Sequence, residues 1–245
     1  MLFSNGIKMD ETNERIKTNI LGLDELMENG IPTNYVVLIS GRAGTMKSSV
    51  AYNILCNTAN EKGITGMYLT LEQSSSSLLA HMKKLSLYID NEERVTMIDL
   101  AKARRGGMVE KDGGGGQIDW MNTILNFLNT YKKQSNYDIL VIDSLSAIYV
   151  LANMENPRSD LFNFFEGLRD LNITTFIISE VPADKQGYGP LGIEEFLADG
   201  IIHLKVKEDD GANLYISVVK MRKTSHPRKY FPLIFENGHF EIVKV

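Results

Sequence analysis

The chain has 245 residues, 43% of them hydrophobic and 23% charged, with a formal net charge of −5. That length suits one large α/β domain or two small ones with ample core material, and the acidic balance supplies no overall basic field to draw nucleic acid or an anionic membrane. The single cysteine, Cys56, excludes an internal disulfide and suggests a buried small hydrophobe in a reducing cytoplasm.

The opening stretch is too polar for a signal peptide, and no apolar run approaches the ~18 residues of a membrane span. Residues 1–16 read as a flexible N-terminal arm, and 17–245 as one domain. A short helix over Leu23–Met27 ends at Gly30-Ile31-Pro32, a turn that leads into the first strand.

The stretch VVLISGRAGTMKSSVAY (36–52) organises the chain. An apolar β-branched run breaks into a glycine-bearing loop, and Lys47-Ser48-Ser49 opens a segment with apolar residues at helical spacing. This is the pattern of a phosphate-binding loop, whose backbone N–H groups curl round phosphates at a helix N-terminus. Gly41, Ala43, Gly44, Thr45, Met46, Lys47, Ser48 and Ser49 are the candidate nucleotide-binding residues. Lys47 would reach the outer phosphates, and the Ser48 hydroxyl would take a position on Mg²⁺. The pattern G-x-x-x-x-G-K-[ST] expects glycine where Met46 stands. Met46 is tolerable if its dihedrals are already helical, with its side chain pointing outward. The alternative is an ordinary βα turn.

Beyond this loop the first helix runs to about Gly63, GMYLTLEQ (66–73) is a buried strand, and SSSSLLAHMKKLSLYI starts with N-cap residues of a second helix. RVTMIDL (94–100) is a short third strand. Residues 101–117 are glycine-rich and carry Arg104, Arg105 and Lys111, either a surface loop or a mobile phosphate- or single-strand-binding loop. An amphipathic helix follows through Ile118, Met121, Leu125, Leu128 and Tyr131.

In YDILVIDSLSAIY a buried strand ends at Asp143. Ligands of open parallel sheets bind at the carboxyl ends of strands, so Asp143 is expected in the same crevice as the phosphate loop, with its carboxylate on Mg²⁺; the alternative is a helix N-cap. Pro157–Leu171 is a helix whose Phe164 and Phe165 belong to the core. Strands follow at 174–180, within IEEFLADGIIHLKV and at 213–222, and Asn237-Gly238 marks a terminal hairpin. Strands alternate with helices to about residue 206 and then follow one another. The expectation is a mostly parallel central sheet with helices on both faces and antiparallel C-terminal strands.

Taken together, NILGLDELMENGIP, GRAGTMKSS, YLTLEQS, ILVIDSLSAI, and IEEFLADGIIHL with VVKMRKTSH resemble the RecA-like ATPases, and within them the KaiC/RadA type, over nearly the whole chain from residue 17. The resemblance implies an ATP-binding RecA-like P-loop fold that uses ATP/ADP and Mg²⁺. It implies that Glu72 is the catalytic glutamate that activates water. Many members carry a second acid next, where this chain has Gln73. Lys220, Arg222 and His226 match residues that face the nucleotide of the neighbouring subunit, implying a homo-hexamer or other ring; a charged strand edge that discourages pairing is the alternative for Lys220 and Arg222. The resemblance leaves two other readings: a recombinase-like module binding single-stranded DNA through the 101–117 loop, and a nucleotide-gated scaffold with negligible turnover.

Overall fold

A computed structural model describes residues 14–87, 94–100, 102, 119–135, 137–152, 154–207 and 213–244. The expected basic loop at 101–117 lies outside the described residues save Lys102, and so does the expected arm as far as residue 13. Residues 15 and 16, expected in that arm, belong to the fold. Strand β1 (Arg15–Ile16) pairs antiparallel with β3 (Ile31–Pro32), and Ile16 is buried.

The main sheet has at its centre β4 (Val36–Gly41), whose six residues are all buried. On one side β4 pairs in parallel with β8 (Thr174–Glu180), followed by β7 (Ile139–Asp143), β5 (Gly66–Thr70) and β6 (Val95–Asp99). On the other side β9 (Gly200–Lys207) is also parallel to β4. Beyond it β10 (Asn213–Met221), β11 (Phe231–Glu236) and β12 (His239–Ile242) are antiparallel, and β2 (Ile20–Leu21) closes that edge in parallel with β12. The mostly parallel sheet with an antiparallel C-terminal region is therefore present, and Asn237-Gly238 forms the β11–β12 turn.

Helices cover the parallel region on both faces, and the period of two along each strand divides the core. In β7, Ile139 and Val141 pack with Val50, Ile54 and Leu55 of α1 (Lys47–Lys62). The intervening Leu140 and Ile142 pack with Ile124 and Leu128 of α3 (Trp120–Ser135) and with Phe164, Phe165 and Leu168 of α5 (Pro157–Asp170). Both α5 phenylalanines are fully enclosed, each worth about 1.5–3 kcal/mol of burial. Helix α2 (Ser75–Lys84) is capped by Ser74, whose hydroxyl accepts from Ser77 N at 3.2 Å. Among the described residues are also a short 3-10 helix at Asp24–Met27, where the sequence places a short helix, and two short α-helices: α4 (Leu145–Leu151), capped by Ser144, and α6 (Glu194–Leu197). α4 was expected only in outline, as the segment that an N-cap would open.

Candidate active site

The loop after β4 is shaped by close approach. A Cβ on Gly41 would lie 2.4 Å from the Leu204 carbonyl oxygen and 2.6 Å from Thr45 Oγ1, so only glycine fits there. Gly44 takes φ +80° with open space where a side chain would stand. The Arg42 carbonyl gathers the turn, accepting from Thr45 Oγ1 and from Lys47 Nζ, each at 2.8 Å.

Met46 corrects the expectation drawn from the sequence. It does not adopt helical dihedrals but sits at φ 61°, ψ 25°, the left-handed geometry that glycine takes without cost. Its side chain does not point outward either: it is half-buried against the core cluster under α1. Packing there offsets a backbone penalty of about 1–2 kcal/mol.

Lys47 and Ser48 open α1, where free N–H groups and the helix dipole favour an anion. Ser48 Oγ donates to Asp143 Oδ2 at 2.9 Å, and the buried Tyr68 hydroxyl donates to the same oxygen at 2.6 Å. Burial pushes the Asp143 carboxyl above its ordinary value, while these two hydrogen bonds pull the other way. Lys47 is 6% exposed and lies 3.6 Å from Glu180 at the end of β8; burial lowers its ammonium, and Glu180 opposes that shift. Ser144 Oγ donates to Glu72 Oε1. The Asp143–Ser144 peptide is cis.

These groups line one cleft of about 710 Å³, whose walls include residues 43–49, Glu72, Asp143 and Glu180. Its chemistry fits a magnesium nucleotide. Phosphates would meet a lysine and helix N–H groups, and a hard cation could take the oxygens of Ser48 and Asp143. Among the described residues no group of three His, Cys, Asp or Glu side chains could hold a metal by itself. A cation here would complete its shell with phosphate oxygens and water.

Lys220, Arg222 and His226 are not brought to this cleft. The register places Lys220 beside Ile201, Met221 beside Gly200, and Gly200 beside Val37, at the end of β4 opposite the phosphate loop. There Lys220 Nζ donates to the carbonyls of Glu195 and Ala198 at 2.9 and 2.7 Å, and Arg222 Nη1 to Asp199 Oδ1 at 2.6 Å. His226 Nδ1 faces the Pro227 carbonyl at 3.5 Å.

Sequence reasoning had given no role to Tyr68, Ser144 or Glu180. Glu180 ends a buried parallel strand as Asp143 does, so the same strand-end rule could have found it. Tyr68 lies inside an apolar run and offers no such signal.

The family model for the KaiC ATPases matches residues 16–245. The chain belongs to the KaiC ATPase family. It is 30% identical to a UPF0273 protein of Thermotoga maritima over 224 residues, covering 89% of this chain and 91% of that one. It is 28% identical to the circadian clock protein KaiC3 of Synechocystis, covering 91% of this chain but 44% of that protein, so it spans less than half of this longer relative. A crystal structure of a KaiC-like protein from Pyrococcus horikoshii superposes with a TM-score of 0.78 at 26% identity, covering 95% of this chain and all of that one. The fold is RecA-like, and the chain is an ATP-binding domain of that ATPase family. No helix among the described residues is long and apolar enough to cross a membrane.

Proposed function

We propose that the chain hydrolyses ATP to ADP, slowly, at sites shared between neighbouring subunits of a homo-oligomeric ring, six subunits being the expected size. One observation carries the reading. The phosphate loop, Asp143 and Glu72 line one cleft, while the candidate cations Lys220 and Arg222 stand at the far end of the same sheet. Within one chain those cations cannot serve that cleft. Between head-to-tail copies they can.

In this reading the loop backbone from Gly41 to Ser49 and the Lys47 ammonium hold the phosphates, and Ser48 and Asp143 hold Mg²⁺. The bound cation would neutralise charge on the outer phosphate oxygens. Glu72 orients the attacking water and takes its proton. Lys220 and Arg222 of a neighbour, with His226 against the nucleotide, stabilise the charge that spreads over the equatorial oxygens, an effect worth about 10³-fold or more. Gln73 can orient water but accepts no proton, which fits slow turnover. Burial pushes the Cys56 thiol up to about 12, so it is inert, as suits a cytoplasmic protein.

The test is ATPase rate against protein concentration, run beside light scattering, for the wild type and Arg222→Ala. Specific activity should rise as the ring forms, and Arg222→Ala should lose turnover while still binding ATP. One observation favours a second reading, a nucleotide-gated scaffold: the Glu72 carboxylate is already engaged by Ser144. Flat, near-zero turnover in both proteins with ATP bound would select it.

A further inference from the structure

Helix α6 carries an exposed aromatic side chain that the described residues leave uncovered. Phe196 is 64% exposed, although phenylalanine is a residue that folding usually buries. The candidate finger cations hang on the same short helix. Lys220 donates to the carbonyl of Glu195, Arg222 Nη2 to the carbonyl of Phe196 itself at 3.4 Å, and the Arg222 backbone N–H to Asp199 O at 3.0 Å. Below the helix, Arg169 binds the Leu197 carbonyl and Asp199. The knob and the cations are thus fixed relative to one another by at least three hydrogen bonds.

The other end of the sheet holds a matching recess. A cavity of about 630 Å³ opens beside the phosphate loop, with mainly apolar walls that include Val181, Pro182, Ala183 and Pro190. It shares Ala43 and Glu180 with the nucleotide cleft. Its wall is tied to the phosphate loop: the Val181 N–H donates to Gly41 O at 3.1 Å, and Arg42 donates to Ala183 O at 2.8 Å.

We propose that Phe196 of one subunit seats in this recess of the next copy of the same chain, and that the seat delivers Lys220 and Arg222 to the next subunit's phosphates. Two features make a second copy the occupant. Knob and recess lie on opposite ends of one sheet, so their union is heterologous and repeats head to tail, as a ring requires. Charge favours the same occupant: Lys220 and Arg222, the latter paired with Asp199, stand beside the knob, while Glu72, Asp143 and Glu180 outnumber Lys47 in the cleft beside the recess, whose own wall adds Arg42. An aromatic anchor in a preformed apolar pocket also has the composition of an interface hot spot. The proposal rests on the shared-site reading and adds what sets its register.

The test is cysteine cross-linking with a short bismaleimide. Cys56 is buried and does not compete. The double variant Phe196→Cys/Ala183→Cys should give a ladder of covalent oligomers. Each single variant alone should stay monomeric on a denaturing gel, and an equal mixture of the two single variants should stop at the dimer. Cross-linked dimers from Phe196→Cys alone would show a two-fold contact and overturn the proposal, as would no ladder in the double variant under conditions where light scattering sees a ring. Phe196→Asp should raise the concentration needed for assembly by about tenfold or more, with an unchanged melting temperature at dilutions where both proteins are monomeric, because the side chain is exposed there. Wild-type assembly by Phe196→Asp would also overturn it. Arg222→Ala separates the two claims, since it should still give the ladder in the double-cysteine background while losing turnover. A ladder without that loss removes the finger reading and leaves the seat; the loss without a ladder removes the seat and leaves the finger.

Discussion

Ser48 at the start of α1 and Asp143 at the end of β7, 95 residues apart in the chain, meet at 2.9 Å, and the buried hydroxyl of Tyr68 on β5 completes the contact. A hydroxyl and a carboxylate so placed could supply two oxygens to a hard cation. They also put a carboxylate, 5% exposed, where burial raises its proton affinity.

Asp143→Asn tests both sides of that arrangement. Removing a buried charge that the fold disfavours should leave the nucleotide-free protein as stable as wild type, or more stable by about 1 kcal/mol, because the amide oxygen can still accept from Ser48 and Tyr68. The same change should abolish the extra thermal stabilisation that Mg²⁺ gives over ATP alone. Differential scanning fluorimetry with and without Mg²⁺ reads both effects.

At Met46 the backbone and the side chain pull in opposite directions. Met46→Ala removes packing and keeps the left-handed penalty, whereas Met46→Gly removes packing and the penalty together. Although glycine is usually the poorer residue in a helix, Met46→Gly should be more stable than Met46→Ala by about 1 kcal/mol. Urea denaturation of the two variants measures the difference, and an alanine variant equal to or above the glycine one would contradict it.

Glu72→Gln preserves shape and removes the proton acceptor. Single-turnover hydrolysis should slow by about 10²- to 10⁴-fold, while equilibrium ATP binding changes little. If binding fell in proportion, Glu72 would act on affinity and not on the attacking water.

His203 gives a pH signature. It stands beside the phosphate loop between the rings of Tyr188 and Tyr230. The Ser40 hydroxyl donates to Tyr188 O at 2.7 Å, so the Nδ1 of His203, 3.2 Å from that hydroxyl, carries the proton of a neutral ring. Burial, with smaller contributions from Lys205 and Lys47, lowers its pKa to about 4. The unfolded chain then binds more protons between about pH 4 and pH 6.5, so stability rises with pH across that window and is lost as pH falls through it. The loss should reach about 2–3 kcal/mol near pH 4. His203→Asn keeps a donor to Ser40 and does not titrate, so the difference between wild type and variant in chemical denaturation should shrink toward acid. A constant difference from pH 7 to pH 4 would show that the ring is not held neutral.

The sequence made the long strands, the phosphate loop and Asp143 legible, because each has a periodicity or a strand-end position that physics constrains locally. It concealed what depends on tertiary placement. Tyr68 is an unremarked member of an apolar strand until β7 brings Asp143 against it. β2 is two residues long and exists only because β12 returns beside it. The positive φ of Met46 contradicts residue preference and is held by packing under α1. The grip of α6 on Lys220 and Arg222 joins segments more than twenty residues apart, and no spacing rule announces it.

The shared site is the central claim, and subunit mixing tests it most directly. Lys47→Ala should lose its own nucleotide site and keep its finger; Arg222→Ala should keep the site and lose the finger. Each alone should be inactive. Mixed in equal amounts and allowed to exchange, they should regain activity at about a quarter of the sites, where an intact cleft meets an intact neighbour. A mixture as inactive as its components, with light scattering showing mixed rings, would contradict a site completed between subunits, as would full turnover by Arg222→Ala alone.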